Sequence, residues 1–249
     1  MVLARRPKEG PFRQGPAYRT AVDVLKPLLM VLTHKDWSGL EHVPADGGVI
    51  LVVNHLSVVD PIGTARFVHD TGRRPRFLIK SSLFEVPLVG WVFRGSGQIP
   101  VHRDSRDAAK AFRAAVKAVQ EGECVVIYPE GTTTKDPGMW PMQARTGAAR
   151  IALLTKCPVI PVAQWGAQEI LPRGAKVPKL LPRKRLAFRV GPPVPLEDLR
   201  ERPMTAEVLR DATERILGAI THELEVLRGE QAPAERYDPK GDEKSGGAA

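Results

Sequence analysis

At 249 residues, with 43% hydrophobic and 26% charged, the chain can bury a sizeable core and has the balance of an ordinary globular protein, folded as one large α/β domain or two small ones. Two cysteines, Cys124 and Cys157, both inside apolar runs, exclude a disulfide framework and a zinc cage and fit a reducing compartment. Thirty-seven Lys and Arg against 28 acids give a net charge of +9, which favours anionic partners such as nucleic acid, anionic lipid or phosphorylated substrates.

Residues 1–16 carry Arg5, Arg6, Lys8 and Arg13 among Pro and Gly, and are expected to form a flexible basic arm without the pattern of a cleavable signal. Residues 17–36 follow. Val22, Leu25, Leu29 and Leu32 recur there at helical spacing from about Ala17 to Thr33. Arg19, Asp23, Lys26 and the kink expected at Pro27 argue against a span, which needs about 20 apolar residues. This amphipathic helix either lies in a membrane interface or packs on the domain's own core.

Residues 37–228 read as one domain. Val49-Ile50-Leu51-Val52-Val53 is an aliphatic run of the kind that forms a buried strand, and it stops at Asn54-His55. Asp60 follows five positions after the histidine. Positions five apart do not share a face of one helix, so His55 and Asp60 meet only if the chain turns between them. Pro61, favoured in a first helical turn, agrees with a helix from Pro61 to Thr71 that leaves Asp60 at or near its start. An imidazole at a strand end can take a proton from a hydroxyl, and a carboxylate beside it can hold the tautomer and stabilise the imidazolium. Alone, a histidine with an aspartate nearby is more often structural.

Arg76–Ile79 reads as a short strand leading to Lys80. Leu83–Phe93, apolar with Pro87 and Gly90, reads as a buried or kinked helix. Gln98-Ile99-Pro100-Val101-His102-Arg103 is a strand that delivers Arg103 at its end, with Pro100 suited to an edge or bulge. Ser105 is an N-cap for a helix to Gln120. Cys124–Tyr128 is a strand running into Pro129-Glu130-Gly131-Thr132, and Gly147–Lys156 a helix. Val159–Ala163 and Leu186–Val190 are strands, and Thr205–Leu227 has helical periodicity. The segment 167–185 interleaves basic and apolar residues, as a solvated loop or a surface for anionic lipid. Residues 229–249 are polar and small and are expected to be a disordered tail. Strands alternating with helices predict a single α/β domain whose mixed, mostly parallel sheet is covered by helices and preceded by the amphipathic N-terminal helix.

Four patterns occur in a fixed order: Asn54-His55-Leu56-Ser57-Val58-Val59-Asp60, Gly97-Gln98-Ile99-Pro100-Val101-His102-Arg103, Pro129-Glu130-Gly131-Thr132, and Val159-Ile160-Pro161-Val162-Ala163. Together, over roughly residues 38–195, they resemble the four sequence blocks of the glycerophospholipid acyltransferases, the 1-acylglycerol-3-phosphate acyltransferase superfamily. The resemblance implies that His55 is the general base and that Asp60 orients its ring. The acceptor hydroxyl then attacks an acyl thioester directly, with acyl-CoA or acyl carrier protein as donor, no other cofactor and no acyl-enzyme. It implies an acceptor-binding set of Arg103, Glu130, Gly131 and Thr132, to which Asn54 and Lys80 are added as strand-end neighbours. An arginine fork suits a phosphate, whereas Glu130 is expected to orient Arg103 or to bind a glycerol hydroxyl. Val159, Ile160, Pro161 and Val162 match the block assigned to the acyl or active-site wall. The expected acceptor is a lysophospholipid, 1-acylglycerol 3-phosphate, met on an anionic membrane surface at the cytoplasmic face.

One departure stands out. The family commonly has Glu-Gly-Thr-Arg, but here Thr133 and Thr134 follow Thr132, with Lys135 next. Either Lys135 or Arg145 supplies the missing cation, or the acceptor differs. Two rivals from other classes remain open. A serine or thioester hydrolase would use Ser57, although no Gly-x-Ser-x-Gly elbow is present. A non-catalytic basic module would bind membrane or nucleic acid, but 6% aromatics and no recognisable motif weigh against nucleic acid. No His/Cys/carboxylate cluster has metal-ligand spacing.

Overall fold

The computed structural model describes residues 15–101 and 105–239. In chain order these form α1 (Pro16–Leu32), β1 (Thr33–Ser38), β2 (Val49–Val53), α2 (Asp60–Asp70), β3 (Pro75–Lys80), α3 (Val89–Gly95), β4 (Ile99–Val101), α4 (Ser105–Gln120), β5 (Cys124–Ile127), α5 (Gly147–Thr155), β6 (Val159–Trp165), α6 (Ala167–Ile170), β7 (Lys184–Val190), α7 (Glu197–Arg200) and α8 (Ala206–Arg228). Short 3-10 turns lie at Leu40–His42 and Ser81–Phe84.

The strands form one sheet in the order β1-β7-β6-β2-β5-β3-β4. Every neighbouring pair is parallel except β6 with β7. The unbroken aliphatic run of β2 suits a central strand buried on both faces. Its side chains alternate as the pleat requires. Ile50 and Val52 enter one core with α4, α5 and α8, while Val49, Leu51 and Val53 enter the other with α2 and α6. The second core is stacked aromatically: Phe67 of α2 lies on Phe188 of β7 with ring centroids 4.7 Å apart, and Trp37 of β1 meets both edge-on. Thr205 caps α8 by accepting from the Val208 N–H. Because β5 and β6 flank β2 and both run parallel to it, the carboxyl ends of the three strands share one sheet edge, where open α/β sheets gather ligand-binding loops.

Several expectations are corrected. Residues 33–36 are not helical: β1 begins at Thr33 and pairs in parallel with β7. Its polar sequence carries no strand pattern, because an edge strand is decided by the partner it adds to. The α1 helix continues through Pro27. Leu83–Phe93 is neither one helix nor buried; a 3-10 turn and α3 stand outside the sheet, with Leu88 79% exposed. Here α3 packs on α1, where Gly95 lies so close to Ala17 that no side chain would fit between them. Residues 229–239, expected in the disordered tail, lie against the domain. Ala232 N–H donates to Glu225 and Tyr237 carbonyl accepts from Gln143 N–H. Residues 1–14 and 240–249 fall outside the described residues.

Candidate active site

His55 sits two residues past β2, and Asp60 opens α2. The turn between them closes on the aspartate. Asp60 Oδ2 accepts from the backbone N–H of Leu56 (2.6 Å) and of Ser57 (2.9 Å), and faces His55 Nδ1 at 2.8 Å. Asp60 is fully buried, and the His55 side chain keeps 15% of its surface open. Burial pushes the Asp60 carboxyl up, while its hydrogen bonds with His55, Ser57 and Leu56 pull it down. A carboxylate facing Nδ1 selects the tautomer protonated there and leaves Nε2 as the free base.

The opposite sheet neighbour grips the same histidine. Glu130, just past β5, accepts from the His55 N–H through Oε1 (3.0 Å) and from the Met142 N–H through Oε2 (3.1 Å). Thr134 N–H donates to the His55 carbonyl at 2.7 Å. Tyr128 stacks on the imidazole with centroids 4.3 Å apart. Its hydroxyl is 3.0 Å from Thr64 Oγ1, which itself donates to Gln164 Oε1. With the threonine proton used on Gln164, the tyrosine donates to the threonine. Burial raises the Tyr128 phenol well above its ordinary value, so it stays a neutral donor.

The expected site residues divide accordingly. Asn54 is buried, and its amide and backbone pair with Gln164 through three hydrogen bonds that lock the ends of β2 and β6 together. Glu130 is buried, with both oxygens occupied inside the fold, so it braces His55 rather than presenting a carboxylate to a hydroxyl. Val159, Ile160, Pro161 and Val162 form the first half of β6, buried with helices on both sides, so they fill the cores and line no open wall. Gly131 and Thr132 are exposed on the turn after β5, and Lys80 is exposed at the end of β3. Arg103 lies outside the described residues. The Ser57 hydroxyl donates to the Leu171 carbonyl at 2.7 Å and is buried, so it is not held as a nucleophile by His55. Thr64, Tyr128, Thr134 and Gln164 escaped the sequence reading. The available signal was a polar residue ending an apolar strand, as Gln164 and Tyr128 do. Among the described residues, no group of three or more His, Cys, Asp or Glu could hold a metal.

Burial lifts the Glu130 carboxyl from 4.5 to about 8, against the pull of its two N–H donors. The folded chain therefore keeps this proton across that window while the unfolded chain loses it. Stability should fall with rising pH by up to about 1.4 kcal/mol per unit between those values and level off above. Urea melts of the wild type and Glu130→Gln at pH 5–8 read this directly. A shallower decline in the variant is expected, and equal slopes would place the proton elsewhere.

The family model described as Acyltransferase matches residues 34–165, a stretch that contains His55, Asp60, Glu130 and Gln164. A 1-acyl-sn-glycerol-3-phosphate acyltransferase of Brassica napus chloroplasts is 33% identical over 143 residues, covering 57% of this chain and 40% of that protein. The protein of the same name from Bacillus subtilis is 26% identical over 186 residues, covering 75% and 86%. The chain spans between 38% and 50% of the length of the first three curated relatives it matches. In fold it resembles the crystal structure of the 1-acyl-sn-glycerophosphate acyltransferase PlsC from Thermotoga maritima, with a TM-score of 0.64 at 22% identity over 86% of this chain and 81% of that one.

Proposed function

The chain belongs to the glycerophospholipid acyltransferase family, and on that premise we propose that it moves a fatty acyl group from an acyl thioester to the free hydroxyl of 1-acylglycerol 3-phosphate, giving phosphatidic acid. The observation that carries this reading is the imidazole of His55, partly open to solvent at the carboxyl edge of the sheet with Nδ1 fixed on a buried carboxylate. Nε2 takes the hydroxyl proton as the oxygen attacks the thioester carbonyl. The tetrahedral intermediate collapses with cleavage of the C–S bond, and the imidazolium returns the proton to the departing thiolate. Asp60 stabilises the imidazolium during the transfer. The donor is acyl-coenzyme A or acyl carrier protein, and the names of the similar proteins support the acceptor.

The protein works on the surface of an anionic bilayer, at its cytoplasmic face. Among the described residues no helix is long and apolar enough to cross a membrane. The exposed apolar side chains Val24, Leu28 and Val31 of α1 and Leu88 and Trp91 beside it support interfacial seating, and the net charge of +9 supports attraction to anionic headgroups. Cosedimentation with phosphatidylglycerol vesicles but not with phosphatidylcholine vesicles is the expected result, and equal recovery with both would remove the electrostatic part.

The direct test incubates the protein with oleoyl-coenzyme A and lysophosphatidic acid and follows thiol release and lipid product. Phosphatidic acid in step with thiol supports the reaction. Thiol release without new lipid would instead make the protein a thioesterase or direct the search to another lipid acceptor, and an acyl carrier protein donor is assayed in parallel.

A further inference from the structure

We infer that Arg145 is the residue that receives the phosphomonoester of the acceptor, an assignment that rests on the acyl-transfer reading above. The turn from Tyr128 to Thr134 wraps the backbone of His55, through Glu130 at its N–H and Thr134 at its carbonyl. Between those two contacts lies Gly131, exposed and left-handed at φ +71°. Arg145 is brought to the same turn by its own N–H, which donates to the Pro129 carbonyl at 3.0 Å. Its side chain then crosses Gly131: a Cβ on that glycine would stand 3.5 Å from Nε, 3.6 Å from Cδ and 3.9 Å from Cζ. A guanidinium therefore lies over the turn that holds the base.

Its freedom distinguishes it from the neighbouring cations. Lys135, the other residue able to supply a charge in this loop, already has a partner within the protein. Arg150 stacks over the Phe112 ring, and Arg228 is shared between Trp140 and Trp165. Arg145 has neither hydrogen bond nor ion pair for its guanidinium among the described residues, and it is exposed. An unpaired arginine held against a turn is preorganised for a bidentate oxyanion. Position 133, two residues beyond Gly131, is threonine and brings no charge of its own. The anion could belong to the acceptor or to the phosphates of a coenzyme A donor. The position of Arg145 over the turn that grips His55 favours the acceptor, whose hydroxyl must reach the imidazole.

Loss of one charge-assisted contact should raise the acceptor KM of Arg145→Ala roughly 10- to 100-fold, with kcat and the donor KM nearly unchanged. Arg145→Lys should recover part of the loss, as a point charge without the fork. Adding Thr133→Arg to Arg145→Ala should bring the acceptor KM back toward wild type, because the charge returns to the same turn. An unchanged acceptor KM, or a rise confined to the donor KM, would overturn the assignment. A second readout is independent of turnover: submicellar lysophosphatidic acid should raise the Tm of the wild type but not of Arg145→Ala. That pattern in a protein without transferase activity would keep the anion site and remove the reaction. Equal Tm shifts in both proteins would remove the site.

Discussion

His55→Ala should lose acyl transfer, with kcat down by roughly 10²–10⁴-fold, the range a positioned general base supplies. The remaining residues cannot replace it. The nearest carboxylate, Asp60, is fully buried, and the second, Glu130, has both oxygens committed to backbone N–H groups. The fold should survive. The ring contributes one stacking contact with Tyr128 and one hydrogen bond to Asp60, together worth about 1–2 kcal/mol, and Asp60 keeps the N–H donors of Leu56 and Ser57. Thiol release coupled to lipid product, measured beside Tm, separates the two effects. Transfer within threefold of wild type in a folded variant would remove His55 from the chemistry.

The second large effect is expected at Asp60→Asn, a fall in kcat of roughly 10²–10⁴-fold with little change in the acceptor KM. An asparagine oriented with its oxygen toward Leu56 and Ser57 still accepts their protons but brings no negative charge to stabilise an imidazolium. Oriented the other way, its amide donates to Nδ1, forces the proton onto Nε2 and leaves the ring without a basic nitrogen facing the acceptor. Stability should change far less than activity, because burial already raises the Asp60 carboxyl and the amide removes that desolvation cost. A rise in KM at constant kcat would mean that Asp60 shapes the acceptor pocket instead.

The contrast between these two variants and Glu130→Gln separates touching the reaction from supporting it. Glu130 lies next to His55 in space, and from the sequence it is expected to orient Arg103 or to bind a glycerol hydroxyl. The structure turns its carboxylate inward because two backbone N–H groups, of His55 and Met142, have no other acceptor there. A buried N–H without a partner is costly, so an acidic side chain at a strand end is drawn to it. Asn54 follows the same logic with Gln164. Polar residues at strand ends thus divide between those that close the sheet edge and those left facing solvent, and residue type does not make that division.

By itself the sequence determined the elements whose cause is local. Apolar runs give β2, β5 and β6, helical spacing gives α4 and α8, and Asp60-Pro61 starts α2 five residues after His55, which is what lets the two side chains meet. Only the tertiary structure decided the rest. A polar hexapeptide became β1 because β7 offered an open edge, and Leu83–Phe93 broke in two because its second half, α3, packs on α1 while the 3-10 turn before it stays against β3 and β4. Residues 229–239 settled along the domain through the Ala232 N–H on the Glu225 side chain, the Gln143 N–H on the Tyr237 carbonyl and the Arg236–Glu214 ion pair, partners that composition does not encode. At the site, the stack of Tyr128 on His55, the Asn54–Gln164 clasp and the path of Arg145 across Gly131 join residues between 14 and 110 positions apart. Hydrophobic period and turn chemistry act over a few residues and can be read along the chain, whereas the partner of each buried polar group is set by which strand ends the sheet brings together.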